Sequence, residues 1–238
     1  MSKKNTAFIF ARKGSKGLKN KNLCMFNDIP LIATSIKCAL SSKRISRVIV
    51  STDSGKIAKV AKSYGAEVPF MRPKELSMDN SPEWEAWKHA IRWAQNNGNL
   101  EKFISLPCTS PLKNKKDIDC CIEAYDKKKP DFVITVSESK RSPYFNMVRK
   151  KKNGRFELID NKNLYFRRQD IPQIFDVTTV AYIARPDFIL NNQSIFSGEV
   201  VAVKIPKGRS IDIDDIHDLE IAKMYYKNKM TKGDPEIL

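Results

Sequence analysis

Two rhythms alternate along the chain. Residues 6–11 (TAFIFA) form an unbroken apolar run, as a strand buried on both faces would. Residues 47–52 (RVIVST), 103–106, 132–136 (FVITV), 177–184 and 200–205 repeat that signature, and a short strand is expected near 67–70. Between them apolar positions fall at helical spacing: Ile32, Ile36, Ala39 and Leu40, then Ile57, Val60, Ala61 and Tyr64. Asp53-Ser54 supplies an N-cap for the second of these helices and Gly65 a stop. Trp84, Trp87, Ile91 and Ala94 line a third helix. Residues 117–126 and 215–229 complete the set, with Ile118, Ile122 and Tyr125 on one and Leu219, Ala222 and Tyr226 on the other.

This alternation predicts an α/β fold, a mostly parallel, Rossmann-like sheet flanked by helices on both faces. Residues 138–175 break the rhythm; they are basic and aromatic without a clean period. They read as an insertion, a lid or an oligomer arm, within a single domain spanning 1–238.

Charge sharpens the picture only slightly. The chain has 43 Lys and Arg against 27 Asp and Glu, a net charge of +16. The lysines are scattered, and the dense runs at 127–129 and 149–152 lie beside Pro130 and Asn153-Gly154, as solvated loop tips do. A nucleic-acid partner is therefore not expected from charge alone. No apolar run approaches the ~20 residues of a membrane span. Five cysteines, with no Cys-x-x-Cys and only His89 and His217 beside them, make neither a disulfide framework nor a zinc site. Cys120 and Cys121 read as helix core. A reduced, cytoplasmic protein is expected.

Ligands of open α/β sheets bind beyond the carboxyl ends of the strands, so the loop after the first strand comes first. It reads Arg12-Lys13-Gly14-Ser15-Lys16-Gly17-Leu18-Lys19-Asn20-Lys21-Asn22. Two glycines, a hydroxyl and five cations within eleven residues suit a polyphosphate, although neither a Walker A nor a dinucleotide pattern is present. The second candidate is Ser210-Ile211-Asp212-Ile213-Asp214-Asp215. Alternation sets Asp212 and Asp214 on one side and the isoleucines toward the core, an arrangement that suits Mg²⁺ beside phosphate oxygens. Asp215 fits a helix N-terminus better. The third is Arg167-Arg168-Gln169-Asp170, either a carboxylate clamp or a surface ion pair.

Together these residues resemble the acylneuraminate (CMP-sialic acid synthetase-like) cytidylyltransferase family, over almost the whole chain. The likeness rests on Ala11-Arg12-x-x-Ser15-Lys16-Gly17-Leu18-x-x-Lys21-Asn22, Val50-Ser51-Thr52-Asp53-Ser54, and Arg72-Pro73-x-Glu75-Leu76-x-x-Asp79. It continues through Thr109-Ser110-Pro111-Leu112, Arg167-Arg168-Gln169-Asp170 and Ser210-Ile211-Asp212-Ile213-Asp214.

The resemblance implies a fold of the nucleotide-diphospho-sugar transferase type, assembled as a homodimer through the inserted segment. It implies transfer of CMP from CTP to the anomeric hydroxyl of an acidic 3-deoxy-2-ulosonic sugar, with release of pyrophosphate. On matching positions Arg12, Ser15, Lys16, Lys21 and Asn22 serve the triphosphate, and Arg72 and Ser81 lie against cytosine and ribose. Asp212 and Asp214 hold Mg²⁺, and Arg168 faces the sugar acid. Either Asp212 or the metal deprotonates the sugar hydroxyl; both remain open. Pro107-Cys108, where sialic acid enzymes commonly have Gln-Pro, and Asp176-Val177-Thr178-Thr179, where they often show Asn-Gly, leave the acceptor undecided among ulosonic acids. Ser142-Pro143-Tyr144-Phe145-Asn146 looks more like relatives proposed for legionaminate-type sugars. Rival readings are a nucleotidyltransferase for another base or sugar, and a basic nucleic-acid-binding protein. The acidic pair argues against the latter, because carboxylates repel a phosphate backbone.

Overall fold

The computed structural model describes residues 5–15, 17–162, 165 and 167–231. The chain begins with β1 (Asn5–Phe10), the hairpin β2 (Met25–Phe26) and β3 (Ile29–Pro30), α1 (Leu31–Ser41), β4 (Ile45–Ser51) and α2 (Gly55–Ser63). Next come α3 (Glu83–Asn96), β5 (Phe103–Ser105), α4 (Lys115–Lys128), β6 (Phe132–Glu138) and a second hairpin, β7 (Val148–Lys150) with β8 (Phe156–Leu158). β9 (Phe175–Ala184), α5 (Pro186–Asn191), β10 (Val200–Lys204) and α6 (Ile216–Thr231) follow.

Six strands form one sheet in the order β10-β6-β9-β5-β1-β4. β1 runs parallel to β4 and β5, and β10 parallel to β6. β9 alone is antiparallel, wedged between β5 and β6. Successive side chains of β1 explain why its pattern has no polar face. Ala7 and Ile9 join a core with α1, α2 and α4, while Phe8 joins an opposite core with Trp87, Phe103, Phe132 and Tyr182. A third, smaller cluster under α6 contains Phe26, Leu31, Leu112, Ile213 and Leu219. Its importance is positional, since Ile213 separates the two acids.

The structure corrects the sequence reading in five places. The strand expected at 67–70 is only a single bridge between Ile49 and Glu67; Pro69 has no N–H with which to extend it. α4 starts before 117, at Lys115, because Asn114 and Asp117 close a reciprocal capping box. The polar stretch 12–30 contains a hairpin turned at Asn27, whose φ of 55° suits a tight turn. α5, opened by Pro186 in its first turn, was not expected. Cys120 is exposed and only Cys121 is buried.

A buried ion pair ties the turn before the acidic segment to α4. The Arg209 guanidinium donates to Asp117 from Nε (2.9 Å to Oδ2) and from NH2 (2.8 Å to Oδ1), and the Asp117 side chain is 3 % exposed. Truncating one partner of such a pair leaves the other uncompensated, so Asp117→Ala is expected to destabilise the protein by about 3 kcal/mol in urea unfolding. A loss below about 1 kcal/mol, the worth of a surface pair, would show that the anchor is unimportant.

Candidate active site

β1, β4 and β5 deliver their carboxyl ends to one edge, and the loops leaving them build the site. After Phe10 the chain is held by Ala11 N–H donating to the Ser51 carbonyl (3.0 Å). The Lys13 N–H donates to Asp53 Oδ1 (2.8 Å). The Ser15 hydroxyl donates to the Leu18 carbonyl (2.9 Å), and Asn22 Nδ2 donates to the Arg12 carbonyl (3.0 Å). Asn20, at φ 56°, leads into a 3-10 turn over Lys21–Leu23. Ser15 and Asn22 therefore shape the loop through the very groups that the sequence reading turned toward phosphate.

Lys21 is the hinge of the site. Its ammonium donates to the Ile213 carbonyl (2.8 Å) and to Asp214 Oδ1 (3.0 Å), joining segments 192 residues apart. Gly17 makes the same junction possible from the backbone side, because a Cβ there would overlap the Asp214 carbonyl. The acidic segment is fixed from below by Ile213 N–H, which donates to the Thr109 carbonyl (2.8 Å). Asp215 accepts from the Asp218 N–H (3.0 Å) and caps α6, and these backbone hydrogen bonds hold its carboxyl below the usual range. The expectation that it serves the helix end is met.

The two expected metal ligands differ. Asp214 is exposed and paired with Lys21. Asp212 is half-buried, and its Oδ1 is buried without a hydrogen-bond partner. Among the described residues no three His, Cys, Asp or Glu cluster as a cation cage would need. An unpartnered carboxylate oxygen with a second carboxylate nearby in sequence suits Mg²⁺, which takes one or two carboxylates and completes its shell from phosphate and water.

Thr109 and Ser110 meet β9 through the Thr179 hydroxyl, at 3.2 and 2.7 Å. Beneath them lies Lys113, which sequence reasoning missed. It is 1 % exposed, and its ammonium donates to the Pro107 (2.6 Å) and Ser110 (2.8 Å) carbonyls. Burial lowers its pKa. Nothing in the sequence marks it among so many scattered lysines. Burial also pushes the Cys108 thiol up to about 12, which removes it as a nucleophile.

Arg72 is 7 % exposed; NH2 donates to the Ser51 carbonyl (2.9 Å), while Nε has no partner. Burial lowers its pKa, and Asp53 and Glu83 oppose that. The Ser81 hydroxyl donates to the Glu75 carbonyl (2.5 Å) and accepts from Met78 N–H (3.1 Å), so it braces the turn.

Of the expected residues, Arg12, Ser15, Lys21, Asn22, Arg72, Ser81 and Asp214 line two adjoining clefts, whereas Asp212 lines neither. One, of about 430 Å³, is lined by Phe10, Arg12, Gly14, Ser15, Gly17, Lys21, Asn22, Asp79, Thr109 and Asp214. The other, of about 280 Å³, shares Phe10, Arg12 and Asp79 and adds Arg72, Leu76, Met78, Ser81 and Glu83. Arg12 bridges them and pairs with Asp79 at 2.6 Å. Lys16 lies outside the described residues. Arg167 forms a surface ion pair with Asp170, a fork of 2.9 and 3.2 Å. Arg168 opens the 3-10 turn Arg168–Asp170, and its side chain is outside the described atoms.

Comparison with known proteins identifies the family. The Cytidylyltransferase family matches residues 6–231. The chain is 32 % identical over 230 residues to the post-translational flagellin modification protein B of Campylobacter coli, covering 93 % of this chain and 94 % of that protein. It is 33 % identical over 218 residues to the CMP-N,N'-diacetyllegionaminic acid synthase of Campylobacter jejuni, covering 90 % and 92 %. A solved CMP:2-keto-3-deoxy-manno-octonic acid synthetase, complexed with CTP, superposes with a TM-score of 0.72 at 15 % identity, covering 95 % of this chain and 99 % of that one. This last likeness concerns the fold, and it agrees with the expected nucleotidyltransferase architecture. With a family match spanning nearly the whole described chain, the protein belongs to the cytidylyltransferase family and is a nucleotidyltransferase enzyme.

Proposed function

We propose that the protein transfers CMP from CTP to the anomeric hydroxyl of an acidic 3-deoxy-2-ulosonic sugar of the sialic or legionaminic type, releasing pyrophosphate. The observation that carries this reading is the Lys21 ammonium, which joins the basic loop to the acidic segment at 2.8 and 3.0 Å. A cation placed between a phosphate loop and a carboxylate pair suits a polyphosphate undergoing substitution.

In this reaction the sugar oxygen attacks the α-phosphorus, and the bond from that phosphorus to the bridging oxygen breaks. Lys21 neutralises charge gathering on the departing pyrophosphate, while Arg12, Lys16 and the loop backbone hold the triphosphate in line. Asp212 stands as acceptor for the hydroxyl proton. Arg168 is assigned to the sugar carboxylate. Asp212 and Asp214 would hold Mg²⁺, which when bound supplies further charge neutralisation to the phosphate oxygens.

The deciding experiment is pyrophosphate release by the purified protein with CTP and Mg²⁺ against N-acetylneuraminate, legionaminate, pseudaminate and the eight-carbon ulosonic acid. A CTP-dependent signal with one member names the acceptor. Absence of CTP binding by calorimetry would overturn the reading.

Residues 138–175 are assigned to a dimer arm. The β7–β8 hairpin has only three residues on each strand and leaves Val148 and Phe156 55 % and 66 % exposed. Such a hairpin is marginal by itself, and a second copy of the chain would cover it. Sedimentation is expected to show a dimer for the natural sequence and a monomer for Phe156→Glu; a monomeric natural protein removes the assignment. A cytoplasmic address is inferred from the five free cysteines. No helix among the described residues is long and apolar enough to cross a membrane.

A further inference from the structure

Lys113 is a cation sealed beneath the site: it is 1 % exposed and lines neither cleft. Both hydrogen bonds of its ammonium go to neutral carbonyls, those of Pro107 (2.6 Å) and Ser110 (2.8 Å). Burial favours loss of its charge, which the sulfurs of Cys38 and Cys108 and the carboxylates of Asp212 and Asp117 oppose. An ammonium on neutral acceptors is costly to bury, and a chain that needed only to fill this space would carry an apolar side chain there.

What the ammonium holds is the turn after β5. That strand ends at Ser105, and Leu106 N–H still donates to the Phe8 carbonyl (2.9 Å). Beyond it the chain curls round the ammonium. From α1 the Ser35 hydroxyl donates to the same Pro107 carbonyl (3.0 Å), and the Cys38 thiol donates to the Lys113 carbonyl (3.5 Å). The other side of the turn meets the acidic segment. There the Thr109 carbonyl accepts from Ile213 N–H (2.8 Å), and the Ile213 carbonyl accepts from the Lys21 ammonium (2.8 Å). The Ile213 N–H belongs to the peptide that follows Asp212, so one turn sets where both Asp212 and Lys21 stand.

We propose that Lys113 is a positioning residue for cytidylyl transfer: its grip on the Pro107 and Ser110 carbonyls fixes the Thr109 carbonyl and, through Ile213, the places of Lys21 and Asp212. The proposal rests on the transfer reading and deepens it. Misplacing a reacting group by about 1 Å can cost roughly a hundredfold in rate, even when the change lies away from the chemistry.

The test is pyrophosphate release by the full chain with CTP, Mg²⁺ and the acceptor that the sugar-acid panel names. The kcat is counted per CTP site measured by calorimetry, so that unfolded protein drops out. Lys113→Met removes both donors, and kcat is expected to fall about a hundredfold. Lys113→Gln keeps two N–H donors without the charge, on a side chain one bond shorter, and is expected to fold and to lose about tenfold. The KM for CTP is expected to stay within about threefold in both, since the loss falls on the transition state. In a Lys21→Ala background the Lys113→Met loss is expected to shrink below about tenfold, because residues that act through one another are not additive. A merely structural role gives the natural kcat per site in both variants, or losses that multiply in full with Lys21→Ala; either result overturns the proposal and leaves cytidylyl transfer standing. If Lys113→Met does not fold, the natural kcat per site in Lys113→Gln overturns it alone. Failure of the natural protein to bind CTP overturns the transfer reading as well.

Discussion

Lys21→Ala is expected to lower kcat about a thousandfold while the protein stays folded, the scale seen when one preorganised donor to a developing negative charge is removed. The side chain is 16 % exposed, and its ammonium is already placed by the Ile213 carbonyl and Asp214 before any substrate arrives. A fixed cation of this kind needs no rearrangement as charge develops on pyrophosphate, so its loss falls on the chemical step. The structural cost is small by comparison. One hydrogen bond and a partly exposed ion pair are worth about 1 kcal/mol together, which a domain of this size tolerates. Pyrophosphate release under saturating CTP measures the first effect and a thermal melt the second. Activity within tenfold of the natural protein would remove Lys21 from the chemistry.

Asp212→Asn separates function from stability by moving them in opposite directions. The buried, unpartnered Oδ1 is an oxygen kept out of water with nothing to compensate it. Burying such an atom is unfavourable, so a neutral amide of the same shape leaves the melting temperature unchanged or raises it. Activity moves the other way, because the amide lacks the charge to hold a hard cation and the basicity to take a proton. A loss of about a thousandfold is expected at every Mg²⁺ concentration, as for loss of a preorganised electrostatic group. A variant that melts early yet turns over normally would assign Asp212 to the fold instead.

The two variants differ in what they reveal about the proton. Lys21→Ala leaves Asp212 in place, so its residual rate should keep the natural pH profile and Mg²⁺ requirement. Asp212→Asn removes the proposed acceptor, and a residual rate that climbs with hydroxide concentration would fit loss of that base.

How much of this was legible varies with the range of the interaction. The basic loop stood out because glycines, a hydroxyl and cations crowd together, and its place after β1 follows from a six-residue apolar run. The N-cap at Ser54 accepts from Ile57 N–H as its position suggested, although that bond is long at 3.4 Å. α5 was also open to view through Pro186, and the hairpin turn through Asn27; both signals are single residues, easily lost in a polar stretch. The β7–β8 hairpin is too short for alternation to register at all.

Other features had no local signature. Lys113 looks like any other lysine until the 107–110 turn folds over it. Ser15, Asn22 and Ser81 carry the right chemistry for a ligand, yet the fold draws on their side chains to shape loops. Arg72 and Glu83 read as unrelated charges eleven residues apart in sequence; only the turn braced by Ser81 and the start of α3 brings them to one cleft.

By itself the sequence determined the succession of the longer strands and helices, the crowding of glycines and cations in the first loop and the acidic pair late in the chain. These depend on period, caps and turn residues, which act over a few residues. Only the tertiary structure decided that β9 runs against its neighbours, that Asp212 holds a buried oxygen without a partner while Asp214 is exposed, and that Lys21 reaches both Ile213 and Asp214. An apolar run buries equally well in either direction, and which side chains meet across 192 residues is set by packing of the sheet and the cluster beneath α6.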